Sequence, residues 1–486
     1  MRPVLVGLET EYGLSVEGRG AEDQIDDSMA LVRSYPGECF VGWDYRFESP
    51  RSDLRGFQVD RLAYDPEDAQ FDTGKVRQGD REVRSDRVLP NGARFYNDHG
   101  HPEYSTPECL SAHELALHDK AGEQVVARAA AAFADETGRQ VKVYKNNTDF
   151  HGASYGTHES YLVPRAVGFE KLFKALVPLF VARQVLTGAG KVGHEHGSAC
   201  PFQMSQRADF FVEPANIETL YRRPVFNTRD EPHADPRQWI RTHVICGDAN
   251  RMFACTRRKV ALVRLALALV DADLVPVWRL ADPVRSFAEV SRAIDDEGRI
   301  DLEGSSWTTP RLVLESYLDA AERLPDADSE TLDTVQECRS LLEARFSRPD
   351  QFRRTVDWAA KHWLLDQYRE AEGLAWHHPA MQSLDLAYCD VDPAESLFDA
   401  LVEAGEVDGE PGDLPEVLPA PVGSRPWARG LAAARFGRHI ETISWGSMVF
   451  KGNDGPVDLR LDPLREFNPA LADVESWEEF CALLQD

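Results

Sequence analysis

Cysteine is sparse in this 486-residue chain, and no two of its eight cysteines fall in a CxxC pair. Cys39, Cys109, Cys200, Cys246, Cys255, Cys338, Cys389 and Cys481 are scattered, which argues against a zinc ribbon or a disulfide framework. Long apolar runs are missing as well, and nothing approaches the ~20 residues that span a bilayer. No secretory leader is legible: Met1-Arg2-Pro3-Val4-Leu5-Val6-Gly7 is too short and too soon acidic, which predicts a cytoplasmic protein. Basic residues are outnumbered 82 to 54, a formal net charge of -28. Phosphate neutralisation needs a basic footprint, so general binding to DNA or RNA is disfavoured. The charge names no partner, because a very soluble surface gives the same balance. A P-loop is also absent. Gly188-Ala189-Gly190-Lys191 is followed by Val192 where Ser or Thr is required, and position 185 is Val, so the segment reads as a helix-capping turn. His194-Glu195-His196 has no third ligand nearby and reads as non-metal.

What is present is an ordinary globular composition, 43% hydrophobic and 28% charged, long enough for one large domain and an appendage. Residues 1–13 read as a strand ending at Gly13. Residues 50–88 are polar, highly charged and without apolar periodicity, which predicts a mobile surface loop and a lid. Helical spacing occupies 112–134, 169–187, 255–274, 310–324, 329–346 and 350–372, while 141–146, 157–163 and 241–246 look like strands. The Pro-, Gly- and acid-rich segment 406–426 reads as a linker. The expected organisation is a catalytic domain over 1–405 and a small C-terminal domain over 427–486, without internal repeats.

The chemistry lies in the strands. Residues i and i+2 of a strand share a face about 6.5 Å apart, so polar residues at that spacing build a polar face. Four segments do this: Glu9 and Glu11; Arg94, Tyr96 and Asp98; His158 and Ser160; Arg241 and His243. Any one strand of this kind can simply face water, as antiparallel sheets often do. Four together suit a cradle for a divalent metal and a triphosphate, because hard Mg²⁺ takes oxygen ligands and arginine pairs bidentately with phosphate.

Several blocks then carry a resemblance. Gly7-Leu8-Glu9-Thr10-Glu11-Tyr12-Gly13, the run Asn91 to Glu108, Lys145 to Asp149, Gly152 to Glu159, Ser205-Gln206-Arg207 and Asn227 to Asp235 resemble the signature blocks of the Pup ligase/depupylase family. The likeness continues to Trp445 and to Leu461-Asp462-Pro463-Leu464-Arg465. One branch of that family joins the C-terminal glutamate of the protein modifier Pup to a substrate lysine. The other deamidates the C-terminal glutamine of Pup and cleaves the Pup–lysine isopeptide bond. Trp43 to Pro50 with Asp53, Arg55, Gly56 and Phe57, the run Tyr96 to Ser105, and Gly193 to Gly197 look more like the deamidase/depupylase branch. Ser160 departs from the family's usual Asn, and Arg251 to Lys259 departs from its uncharged helix start.

The resemblance implies an α+β fold of the glutamine synthetase-like kind, a curved antiparallel β-sheet backed by helices. It further implies an ATP- and Mg²⁺-dependent hydrolase. Asp98 maps onto the catalytic aspartate; Glu9, Glu11, Tyr96, Glu103, His158 and His243 map onto metal positions. Arg94, Ser105, Thr106, Ser160, Arg207, Arg229, Arg241 and Trp445 map onto nucleotide contacts. Pup, pupylated proteins and the proteasomal ATPase system are the implied partners, with no nucleic acid and no membrane. A Pup ligase, a non-catalytic Pup- or nucleotide-binding homologue and a glutamate–cysteine-ligase-type enzyme are the alternatives. An acidic, largely disordered tag calls for a basic patch beside an apolar groove. Arg222-Arg223 and Arg257-Arg258-Lys259 are the candidate clusters, a solvated helix face being the other reading of the second.

Overall fold

The computed structural model describes residues 2–62, 84–195 and 200–485. Its centre is a six-stranded antiparallel sheet built from β1 (Val6–Glu11), β2 (Arg87–Val88), β3 (Arg94–Asp98), β4 (His101–Ser105), β5 (Thr157–Pro164) and β6 (Trp239–Val244), in the order β6-β5-β1-β4-β3-β2. Strand alternation divides β1. Val6 and Leu8 enter the apolar core, whereas Glu9 and Glu11 go to the opposite face.

Helices cover the apolar face. They include α1 (Gln24–Arg33), α2 (Ala112–Thr137), α3 (Gly168–Thr187) and α4 (Phe253–Asp271). Ser111 caps α2 by accepting the Glu114 amide, and Gly138 closes it in a left-handed conformation at φ 68°. The Leu-, Val- and Phe-rich α3 and α4 pack with Val6, Leu8, Tyr161, Val163 and Ile240 in one large core. Leu31 and Val32 of α1 and Val125, Val126 and Phe133 of α2 pack with Tyr12, Phe95 and Tyr104 in another. The expected α+β architecture, an antiparallel sheet backed by helices, is what is found. One helix was read too long: 350–372 divides into Pro349–Arg353 and Asp357–Glu372, because Val356 is extended. Among the described residues no helix is long and apolar enough to cross a membrane, and all eight cysteines are free.

The segment after residue 424 builds α5 (Arg425–Phe436), β7 (Ile440–Ile443), β8 (Ser447–Gly452), β9 (Gly455–Arg460) and α6 (Trp477–Gln485). Its core contains Ala428, Phe436, Ile440, Phe450 and Phe480, and it closes only with Trp43, Tyr45 and Val88 from the N-terminal region. Backbone bonds Ile443 N to Gly42 O and Asp44 N to Ile443 O, 2.9 and 2.8 Å, tie the two together. The proline- and acid-rich stretch before it is strapped down: Glu410 accepts the Phe253 amide, Tyr35 donates to Glu416, and Asn91 donates to Leu418 O.

The arginine-rich start of α4 is not a docking patch. Arg258 and Lys259 are fully buried. Arg258 donates to Glu337, Leu186 O and Thr355 O, while Lys259 donates to Asp248 O. Arg251 reaches Asp399, and Arg257 pairs with Glu337 at 2.6 Å. These charges are internal struts, because α4 is enclosed by α2, α3 and the helix Ser329–Ser347. Removing a partner from a buried ion pair costs about 3–5 kcal/mol, against about 1 kcal/mol or less for an accessible pair. Denaturant unfolding should therefore show a severe loss in Arg258→Ala and a minor one in Arg257→Ala; equal, small losses would return the cluster to the surface.

Candidate active site

Strand register collects the polar residues. Glu9 lies opposite Ser105 on β4 and His158 on β5, and Glu11 lies opposite Glu103. Glu103 is also opposite Tyr96, Ser105 opposite Arg94, and His243 opposite Ser160. Directly paired residues point to the same side, so the four polar faces are one face. β3 and β4 are joined by the two residues His99 and Gly100, with φ 47° and 86°, the left-handed pair that a tight hairpin demands. That turn sets His99 Nδ1 3.0 Å from Asp98 Oδ2.

A cleft of about 980 Å³ opens on this face. It is lined by Glu9, Glu11, Arg94, Tyr96, Asp98, Glu103, Ser105, His158, Arg207, Arg229, Arg241, His243 and Trp445, all expected from the sequence. The remaining two, Thr106 and Ser160, line an adjoining, more apolar cavity of about 500 Å³ that shares Glu9, Ser105, His233, Arg241 and Trp445. The Thr106 hydroxyl accepts a bond from Leu8 N at 3.1 Å, and the buried Ser160 hydroxyl has no partner.

Two groups of donors form an acidic pole. Glu9, His158 and His243 place one ligand atom each within 4.8 Å of the others, as do Glu11, Asp98 and Glu103. Burial and the neighbouring charges of Asp98, Glu9 and Glu11 push Glu103 well above the usual carboxylate range. Tyr96 and Ser105 donate to it at 2.5 and 3.1 Å. Asp98 goes the other way. Burial opposes its charge, but His99 and Arg84, the latter 2.8 Å from Oδ1, hold it far below that range. Glu9 is lowered too, since His158 and Arg241 outweigh its burial. Burial and the surrounding cations push His243 well below the ordinary histidine value, and its Nε2 has no partner. A neutral imidazole with an uncommitted nitrogen beside clustered carboxylates is a donor set that a dication would satisfy.

Facing this is a basic pole. Arg207 is fully buried with Nε and Nη1 unpartnered, and the Nε atoms of Arg229 and Arg241 are likewise unpartnered. Burial and Arg207 push Arg223 down to about 10. Arg207, with two nitrogens lacking an acceptor, marks a place for an anion, while Arg241 donates to Glu9 and Arg229 to Thr219, both at 3.2 Å, and each keeps an unpartnered Nε. Arg94 differs, because its charge is already answered by Asp86 at 2.6 Å and its plane lies 3.8 Å from the Tyr96 ring and 4.1 Å from that of Trp43. It stiffens the wall.

Sequence reasoning missed Glu48, Arg84, Glu231 and His233 in this cleft. Glu231 and His233 stand inside the quoted Asn227–Asp235 run and Glu48 inside Trp43–Pro50, so proximity to a signature block was available as a signal. Arg84 carried none. It belongs to the 50–88 segment expected to be a loose lid, of which residues 63–83 lie outside the described residues. The described flanks are anchored: Asp53 accepts from Thr228 and Arg55, and Asp86 and Arg84 hold Arg94 and Asp98. Deleting all of 50–88 would take Asp86 from Arg94 and Arg84 from Asp98, leaving Asp98 with His99. His194 pairs with Asp209 at 2.9 Å and Glu195 with Lys191, in keeping with their non-metal reading, and His196 lies outside the described residues.

Carboxylates and imidazoles at one end and arginines with unpartnered nitrogens at the other thus share one face of an antiparallel sheet. Residues 4–449 match the family model described as Pup-ligase protein, and the chain belongs to that family. Within it, the chain is 38% identical to the "Depupylase" of Acidothermus cellulolyticus, with 97% of this chain and 96% of the relative covered. It is 36% identical to the "Pup deamidase/depupylase" of Mycobacterium tuberculosis strain H37Rv over 95% and 94%. The "Pup--protein ligase" of Kocuria rhizophila is 33% identical, covering 80% of this chain and 88% of the ligase. Among solved structures, a complex between Pup and its ligase PafA superposes with a TM-score of 0.78 at 26% identity, covering 99% of this chain and 92% of that one. A PafA–ADP complex gives 0.72 at 29% identity over 83% and 89%.

The raised Glu103 offers a test of the acidic pole. Its favourable contribution to stability is full below 4.5 and is lost as pH rises through its folded-state value. In metal-free protein at neutral pH, Glu103→Gln should stabilise by about 0.5–2 kcal/mol, the gain typical of relieved site strain. That advantage should shrink toward acid, and Mg²⁺ affinity should fall. A destabilised variant at neutral pH would mean that the carboxylates do not repel.

Proposed function

We propose that this chain is an ATP- and Mg²⁺-dependent amidohydrolase that deamidates the C-terminal glutamine of Pup and cleaves the Pup–lysine isopeptide bond. The observation that carries this is Asp98, held ionised by Arg84 and His99 beside Glu11 and Glu103 in the cleft, in a chain that matches named depupylases over almost its full length. By sequence, two curated ligases cover 80% and 79% of the chain, against 97% and 95% for the depupylases.

The residues present fit the cofactor. Glu11, Asp98 and Glu103 offer the all-oxygen environment that Mg²⁺ prefers; Glu9, His158 and His243 offer a mixed set that accepts Mn²⁺ as readily. Tyr96, protonated and bonded to Glu103, orients that carboxylate and presents a neutral oxygen. Arg207, Arg229 and Arg241 grip the phosphates, Arg94 and Ser105 line the same wall, and Trp445 with Thr106 and Ser160 borders the adjoining cavity, suited to the base. When bound, the metal and phosphates neutralise the acidic pole and stabilise an oxyanion developing nearby.

Asp98 acts on the scissile carbonyl as nucleophile, or as base toward water or phosphate; Arg84 and His99 keep it charged for either role. The proposal takes residues 1–405 as the catalytic domain and 427–486 as a C-terminal domain that completes one wall through Trp445. Pup and pupylated proteins are the partners, with the proteasomal ATPase system downstream. Eight free thiols favour a reducing cytoplasm.

The deciding experiment incubates the protein with Pup ending in glutamine, ATP and Mg²⁺ and reads by mass the replacement of amide by carboxyl. Attachment of Pup ending in glutamate to a protein lysine, with ADP formed, would instead establish the ligase reading; neither reaction would leave a binding homologue. In Asp98→Asn, which keeps shape and removes charge, isopeptide cleavage should fall by about 10²–10⁴-fold with folding and ATP binding retained. Near-parental turnover would remove Asp98 from the mechanism.

A further inference from the structure

Away from the cleft, on the helical side of the sheet, a third set of ligand atoms converges. Cys109, Glu114 and His118 each place one donor atom within 4.8 Å of the other two. Cys109 and His118 are 1% and 0% exposed, and neither ring nitrogen of His118 has any hydrogen-bond partner. A buried imidazole left with both nitrogens unanswered is costly and calls for a partner. Glu114 and His118 are four residues apart on the first turns of α2 and so share one face of the helix. Cys109 is held from the other side, its amide and carbonyl paired with those of Val6 at 2.8 and 2.9 Å.

We propose that Cys109, Glu114 and His118 form a structural site for a borderline divalent cation, Zn²⁺ above all, that staples the start of β1 to the start of α2. Thiolate, imidazole and carboxylate are the donors Zn²⁺ uses in tetrahedral sites, and a second Glu114 oxygen supplies a fourth bond. Bonds of roughly 2.0–2.3 Å place such donors about 3.5 Å apart, so a spread of at most 4.8 Å closes by about 1.3 Å or less of side-chain movement. In the metal-free chain burial pushes the Cys109 thiol well above its usual value and the His118 imidazole down to about 4. Both are then neutral, and binding replaces the thiol proton by the metal, releasing one proton to solvent. The site is chemically unlike the all-oxygen group in the cleft, which is why sulfur provides the discriminating signal.

The test uses the full chain, stripped with a chelator and titrated with Co²⁺ alone. One equivalent should develop a thiolate-to-metal charge-transfer band, bleached by Zn²⁺, and that band should survive a Glu9→Ala, Glu11→Ala variant. It should vanish in Cys109→Ser and in His118→Gln, each checked for folding by circular dichroism. Stoichiometric Zn²⁺ should raise the unfolding temperature of the parent chain and leave those two variants unmoved. No charge-transfer band at saturating Co²⁺ in the parent, or a band that persists in folded Cys109→Ser, would overturn the proposal.

Discussion

Mutual repulsion among Glu9, Glu11, Asp98 and Glu103 is the constraint around which the molecule is built. Four carboxylates on adjacent strands oppose folding unless each has an answer, and each has a different one. Asp98 has Arg84 and His99; Glu9 has His158 and Arg241; Glu11 accepts the Gly156 amide at 2.9 Å. Glu103 is answered by hydroxyls alone and takes the strain as a raised pKa. The apolar face beneath, sealed by α3 and α4, holds the strands in register while the polar face carries this load. A site of this kind is pre-strained toward cations, since each positive charge admitted relieves several pairs at once.

Alternation in β1 was enough to separate Leu8 from Glu9, and the helices at 112–134 and 169–187 were legible from the spacing and density of their apolar residues, the second being buried on every side from Ala175 to Thr187. Glu9, Glu11, Arg94, Tyr96, Asp98, His158, Ser160, Arg241 and His243 were legible for the same reason, a polar residue where alternation expects Val or Leu, whereas Glu103, Ser105, Thr106, Arg207, Arg229 and Trp445 came only from the family resemblance. Arg84 was not, because its importance comes from a contact with a strand that no local pattern encodes. Nor was the burial of Arg258 and Lys259. A run of basic residues looks alike whether solvated or enclosed, and only the distant Glu337 and Asp248 decide which.

The chain thus uses charge in two ways. In the cleft, charges of both signs are concentrated on one face and several polar atoms are left unpartnered, which is what recognition requires. Around α4, charges are matched one by one and enclosed: Arg183 with Glu159, Lys145 with Asp119 and Glu123, Lys361 with Asp385. Such fully paired networks add little net stability over apolar packing, and their role is to fix one arrangement of the helices. The departure from family relatives at 251–259 falls in this second category and leaves the cleft intact.

Trp43 and Tyr45 belong by packing, with Val88, to a core whose remaining buried members come from the last 60 or so residues, and Arg94 is stacked on Trp43. During synthesis the aromatic pair emerges early and must wait. At a ribosomal pace of about 5–20 residues per second, the delay before α5 appears is roughly 20–80 s. For that interval the wall of the cleft beside Arg94 lacks its backing, so a nascent or C-terminally clipped chain holds its acidic sheet without the surface that completes it. The linking core therefore ties completion of the cleft to the last strands: Trp445 joins its wall only when they are in place.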